Sequence, residues 1–311
     1  MEIGFVDVGA THASSGLSRT PPRATHASPL RIILGLCLLL LVGCARPPVA
    51  PPVLHLTDAV IEGEAVWSGE VRITGVVVVK KNGHLTILPG TRVLFTPIDI
   101  DGDGIGDSEL LVEGGIVARG TPEQPILFTS AAENPQKSDW KFLYLNFARE
   151  GVIEHIISEY AFSGIQVHFC QASVKNSVFR HNVDGVRFST VNLEVSGNLI
   201  HDNTHGLRFE ERRGRAHVHH NEIRDNDINI FVVTRSDDNS LIEYNNITAA
   251  GQYHVKLGFD QAGDLTLPRN WWGSADPVEM RRLFFDHDFD AHLGRVHAPE
   301  PLAAPLSLAL P

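Results

Sequence analysis

Four aspartates, Asp99, Asp101, Asp103 and Asp107, fall within nine residues of the stretch FTPIDIDGDGIGDSELLVEGG (95–115), with isoleucine and glycine between them. Carboxylates at alternating positions beside a glycine turn are the donor set of a hard cation, which takes its ligands from carboxylate and carbonyl oxygens. A second set follows in RHN, HDN and RDN, which bring Arg180, His201 and Arg224 to one place and His181, Asp202 and Asp225 to the next. Paired carboxylates beside His and Arg are the groups that general acid–base cleavage of a glycosidic bond requires. A third set lies in GIQV, GVRF, GLRF and NIFV, where Gln166, Arg187, Arg208 and Phe231, with Lys256 beyond, share one position. A fourth is HVHH (217–220), in which His217 and His219 stand two apart and so on one face of a strand.

Counted as an EF-hand-like loop, Asp99, Asp101 and Asp103 are positions 1, 3 and 5, Gly104 the turn glycine, Ile105 the carbonyl donor and Asp107 position 9. Position 12 is Leu110, and Glu109 stands one place early, so the closing bidentate carboxylate is missing or displaced. The spacing predicts Ca2+ held by Asp99, Asp101, Asp103, Ile105 and Asp107, against the plainer reading of an acidic solvated turn. No Lys or Arg lies in the loop to act as a base, so the metal is expected to be structural. HLTILPG (84–90) and ELLVEGG (109–115) read as the same segment on successive coils, with the aspartates in the loop between them.

These residues need an element that sets them side by side, and the sequence supplies a repeat. VKNSVF begins at Val174, VSGNLI at Val195, VHHNEI at Val218 and IEYNNI at Ile242, steps of 21, 23 and 24 residues. Each carries a second apolar residue five places on: Phe179, Ile200, Ile223 and Ile247. The unit extends back to Val152/Ile157 and forward to Leu265. Short strands of period two, broken by Asn182, Asn203 and Asn226 and by glycines, cannot bury an apolar face singly. Stacked as coils, each strand pairs with its equivalent one unit away, and the asparagines take the left-handed corners and bond up the stack. The fold class is therefore all-β: a right-handed parallel β-helix solenoid with coils of about 21–25 residues, capped at both ends. The LxxLxL pattern of a leucine-rich solenoid is absent.

In such a solenoid the column Gln166, Arg187, Arg208, Phe231, Lys256 points outward. Neighbouring rungs lie about 4.8 Å apart, so the adjacent arginines invite an anion. A surface carboxylate from Glu210 or Glu194 is the plain partner; an acidic glycan on Arg187, Arg208 and Lys256 is the functional one. Asp202, Asp225, His181 and Arg224 are candidates for a catalytic group, but they fall at corners where polar residues are expected in any case, so no catalytic residue is assigned. His217 and His219 with His201 or His181 are candidate transition-metal ligands, the alternative being exposed histidines without a partner. There is no nucleophile elbow, Walker loop, dinucleotide fingerprint or CxxC.

GHLTILPGTRVLF, VARGTPEQPILFTS, SEYAFSGI and RNWWG resemble bacterial exported right-handed parallel β-helix proteins of the pectin-lyase-like superfamily, over roughly residues 65–305. The resemblance implies the fold and not an activity, because that superfamily holds lyases, hydrolases, epimerases, adhesins and proteins of no known activity. SDWKFLYLNF departs from it, with Lys141-Phe142 in place of a Trp-x-Gly turn.

The 311 residues carry a net charge of −11, which argues against a general nucleic-acid binder. Residues 31–43 read as a signal peptide, whose apolar run is too short to span a bilayer. Leu41-Val42-Gly43-Cys44 resembles a lipobox, which implies lipid on Cys44. Residues 1–30 read as an over-extended or disordered start and 44–53 as a Pro-rich tether. Residues 54–83 are expected to form an N-terminal cap, 84–273 the β-helix, and 274–311 a C-terminal cap, with Trp271 and Trp272 as a lid and a short helix within 277–285. Cys170 is the one cysteine left after processing and cannot close an internal disulfide. The reading is a monomeric, membrane-tethered binding or scaffold protein of the bacterial envelope, with polysaccharide or another envelope component as partner. The alternative is a polysaccharide lyase or hydrolase.

Overall fold

The computed structural model describes residues 53–210 and 214–311. The start segment, the signal peptide, Cys44 and all of the tether but Val53 lie outside the described residues.

Alternating apolar and polar residues form short strands, and successive strands go to successive sheets. Three all-parallel sheets result, of nine, ten and eight strands, each strand pairing with the strand three places away in the chain except at the end of the second sheet, where Tyr253–Asp260 pairs with Phe284–Phe285 two places on. The pairing follows the repeat: Val174, Val195, Val218 and Ile242 are in register in the third sheet, and Phe179, Ile200, Ile223 and Ile247 in the first. All eight side chains point inward and are buried. Residues that stack on themselves from coil to coil make a continuous core, in which the rings of Phe188 and Phe209 lie 4.8 Å apart and those of Phe95 and Trp140 4.0 Å apart.

The inward asparagines satisfy the corners. Asn203 Oδ1 accepts from the backbone N–H and side-chain amide of Asn182, and Asn203 in turn donates to Asn226 Oδ1 at 3.0 Å from both groups. A second ladder, Asn198, Asn221, Asn245 and Asn270, runs along another corner with the same geometry. The asparagine recurring within VSGNLI, VHHNEI and IEYNNI was its signal. Each amide replaces a hydrogen bond that the turning backbone cannot make to itself.

Several expectations shift. One coil earlier the inward residues are Ile153 and Ser158, not Val152 and Ile157. Ser158 hides the apolar pattern and donates its hydroxyl to Gly164 O at 2.8 Å. Leu265 pairs with Val296 in a separate two-stranded sheet. The place below Ile242 goes to Leu267, whose coil is 25 residues long by the Asn245–Asn270 step.

HLTILPG and ELLVEGG are not equivalent. Strand His84–Ile87 belongs to the third sheet and pairs with Gly115–Arg119, whereas Glu109–Val112 belongs to the second and pairs with Val76–Val79. The aspartate loop therefore joins the first sheet to the second within one coil. Residues 54–83 are not a separate cap: their strands open all three sheets. At Lys141-Phe142 the strand Trp140–Asn146 shifts register against Ala161–His168 between Phe142 and Tyr144, a bulge where the resemblance has a turn. At the other end Trp272 is buried against Phe284, rings 4.9 Å apart. The helix Pro277–Arg281, N-capped by Asp276, brings Met280 under the same layer.

Candidate functional site

The outward column of the second sheet is continuous. Tyr144, Gln166, Arg187, Arg208, Phe231 and Lys256 are partners in register on successive strands. The closest partner of the arginines is neither of the two expected acids, although Glu210 is felt by Arg187. Glu194 lies on the third sheet and pairs with Lys175 at 2.7 Å. The close carboxylate is Asp184, fully buried at the start of the strand that carries Arg187. Its Oδ2 accepts from Arg208 Nη1 at 3.0 Å and lies 3.8 Å from Arg187 Nη1. Its Oδ1 is 2.8 Å from His205 Nδ1, and the Ser163 hydroxyl donates to Oδ2 at 3.3 Å. Sequence reasoning missed Asp184 because it reaches along its own strand to Arg187 and across to Arg208 on the next one, rather than from a neighbouring face.

Burial, and after it the neighbouring Arg208, pulls the Arg187 guanidinium below its ordinary pKa, while Asp184 and the more weakly felt Glu210 hold it charged. Two polar atoms of the column lack a partner among the described residues. Gln166, only 6% exposed, leaves Oε1 unbonded, and Arg208 leaves Nε unbonded. Buried polar atoms without a partner are rare and call for a water or a ligand.

Rings bound the column at both ends. Tyr144 OH is 3.2 Å from Nδ1 of His168, whose pKa is lowered to about 4 by burial and then by Arg187, so this imidazole is neutral at pH 7. At the other end His205 stacks on Phe231 at 4.8 Å, and the Arg208 guanidinium sits 5.8 Å over the same ring. The Lys256 ammonium lies 5.5 Å over Phe285, which stacks on Phe289. The face thus offers N–H donors and ring faces to an elongated anion. Its one buried carboxylate is engaged by cations.

The corner carboxylates are also engaged. Asp202 and Asp225 follow one another up the corner with φ of 56° and 55°, and Asp202 N donates to Asp225 O. Asp202 Oδ2 is 2.6 Å from Nδ1 of the preceding residue, His201, and Asp225 pairs with the preceding Arg224. His181 stacks on Tyr160 at 5.5 Å. The Lys137 ammonium comes within 3.5 Å of Thr204 Oγ1 at the same corner.

In the aspartate loop, ligand oxygens of Asp99, Asp101 and Asp107 lie within 4.8 Å of one another. Asp103, expected as a fourth carboxylate, instead accepts from Ile105 N at 2.8 Å. Asp99 accepts from Gly102 N and Gly104 N, which folds the loop around it. Asp107 is 3.7 Å from Lys141 Nζ of the next coil, a cation absent from the loop itself. Beside it the Glu109 carboxyl is raised by burial, and Lys141 opposes that shift.

The histidines fall elsewhere than expected. The rings of His217 and His219 are 4.1 Å apart on the third sheet, whereas His201 lies in the first sheet and His181 at the corner that follows it. The groups near His217 and His219 are Glu243 at 3.3 Å, Glu194 at 3.6 Å and His220 at 2.9 Å.

No curated protein and no solved structure matches the chain. Residues 136–270, the coils that carry the asparagine ladders and the arginine column, match the family model described as a right handed beta helix region. With three all-parallel sheets wound by one repeat, the chain is a right-handed parallel β-helix repeat protein.

Proposed function

We propose that this β-helix is a binding protein that lays an acidic polysaccharide along the outer face of its second sheet. The observation that carries the reading is the arginine column. Two guanidiniums stand on adjacent rungs, oriented by a buried Asp184, while Arg208 Nε and Gln166 Oε1 have no partner among the described residues. A buried carboxylate that fixes a guanidinium leaves its other N–H groups in a set direction, which is how Arg recognises carboxylates. A polyuronate brings a carboxylate at each sugar and so suits rungs about 4.8 Å apart. Calorimetric titration with oligogalacturonate tests this. The wild type is expected to show a saturable, salt-sensitive isotherm that an R187Q/R208Q variant loses. Equal affinity in the variant would remove the column from the site.

Two further parts belong to the proposal. Lipid on Cys44, drawn from the lipobox-like sequence, would tether the protein to an envelope membrane. Metabolic labelling with a fatty acid should mark the wild type and leave C44A unmarked. A Ca2+ ion on Asp99, Asp101 and Asp107 would pin the loop between the first and second sheets without taking part in chemistry. Cleavage of the polysaccharide is the weaker reading, since Asp202 and Asp225 are each engaged by the residue before them. New reducing ends or unsaturated ends in a glycan digest would establish it.

A further inference from the structure

The third sheet carries a groove of about 970 Å³ on its outer face, running along the coils and separate from the arginine column. Its floor is a column in register: Glu150, Gln171, Asn192 and Arg215 on four successive strands. Arg149 stands at the Glu150 end. Among the described residues, neither Arg149 nor Arg215 has a carboxylate within ion-pair reach, although both are exposed on the groove. The acids of the groove face other groups: Glu194 pairs with Lys175 at 2.7 Å, and Glu150 comes to 4.0 Å of the His84 imidazole. Between the two free guanidiniums lie the carboxamides of Gln171 and Asn192 and, one column over, the hydroxyl of Ser173.

One edge of this region bears a second unusual feature. Phe147 and Phe169, two residues before Arg149 and Gln171, are 60% and 47% exposed and stack on each other at 4.7 Å. Both adopt left-handed backbone, φ 55° and 54°, the corner conformation that Thr190 takes one coil on with φ 50°, so the fold itself turns the two rings outward. Exposed stacked rings present an apolar platform, the surface that the C–H face of a sugar ring covers.

We infer that this groove is a second glycan site, and that its ligand carries charge sparsely. The reasoning is geometric. From the Glu150 rung to the Arg215 rung is three coil steps, about 14 Å; the column between them is Gln171 and Asn192, and Glu194 beside it is held by Lys175. Anionic groups at the two ends and hydroxyls in the middle describe a chain in which charged sugars are separated by runs of neutral ones. The second sheet, with arginines on adjacent rungs, takes dense charge. A peptide fits less well. Strands inside the third sheet are hydrogen-bonded on both sides, so the floor offers no main-chain groups, and strand addition needs a free sheet edge.

The test uses the R187Q/R208Q protein, which isolates the groove, and titrates it with gellan oligosaccharide, oligogalacturonate, dextran and an acidic peptide. Gellan oligosaccharide is expected to bind, and further R149Q/R215Q substitution to weaken it at least tenfold while the melting temperature stays put. Because the arginines tested here are not those of the second sheet, loss of one site leaves the other measurable. Gellan binding that R149Q/R215Q does not change overturns the inference, as does no gellan binding at all. Tighter binding of oligogalacturonate overturns the sparse-charge assignment, and an acidic peptide bound through Arg149 and Arg215 overturns the glycan assignment.

Discussion

Replacing Asp184 with Asn keeps the volume of the side chain and its bond to the Ser163 hydroxyl, but removes the one negative charge that Arg187, Arg208 and His205 share. Removing one partner of a buried ion pair costs about 3–5 kcal/mol. Asp184 is fully buried, but the two guanidiniums keep 26% and 20% of their side-chain surface, so water recovers part of the loss. About 2–3 kcal/mol should remain. For a domain of this length a loss of that size lowers the melting temperature by about 5–10 °C. Circular dichroism melts of wild type, D184N, R208Q and D184N/R208Q provide the assay. The two losses should fall short of additivity by about 1 kcal/mol, because the double variant no longer strands Arg208. In the same series D184N should bind oligogalacturonate more tightly at low salt, since the face gains a net positive charge. A D184N melting temperature within 1 °C of wild type, or strict additivity, would refute the argument that Asp184 organises the column.

Three other outcomes follow from the same contacts. Asn203→Ala breaks the ladder at a point where one side chain accepts from Asn182 and donates to Asn226, Phe179 and His201; a loss of about 2–4 kcal/mol in urea unfolding is expected, and a loss under 1 kcal/mol would mean that the coils hold without the amides. His254 is buried with its pKa lowered to about 4, burial being the largest cause. The unfolded chain therefore takes up a proton below about pH 6.5 that the folded chain refuses, and this group's share of the stability should fall by about 1.4 kcal/mol per pH unit from there toward pH 4, beside a like share from His168; a His254→Gln variant should show a flatter acid limb, and an unchanged limb would assign the slope elsewhere. Calcium should raise the melting temperature of chelator-treated protein and titrate as one site that D101N abolishes; a flat titration at millimolar calcium would leave Asp99, Asp101 and Asp107 a solvated turn.

What the sequence made legible was whatever repeats. Val174, Val195, Val218 and Ile242 lie at equal places in consecutive coils, so a linear period becomes a stack, and with it the column through Arg187, Arg208 and Lys256. Repetition failed as a guide where a single residue breaks it. Ser158 stands where an apolar residue is expected and makes its own hydrogen bond inward, which moved the frame by one place. The aspartate loop interrupts a coil between its first and second sheets, so HLTILPG and ELLVEGG read as equivalents on successive coils although their strands belong to the third and second sheets. Partners were the least legible layer. Asp184 reads as one polar residue before GVRF, and only the fold turns it beneath two arginines. The groove of the third sheet depends on which charges find partners, and Arg149 and Arg215 are distinguished only by having none among the described residues.

The central claim concerns the outer face of the second sheet, and a crystal structure of the protein with bound oligogalacturonate addresses it most directly. The account predicts sugar density running from Tyr144 to Lys256, with carboxylates on Arg187 and Arg208 and a ligand oxygen on Arg208 Nε. An oligogalacturonate seated on the first or third sheet, with the arginine column bare, would contradict it.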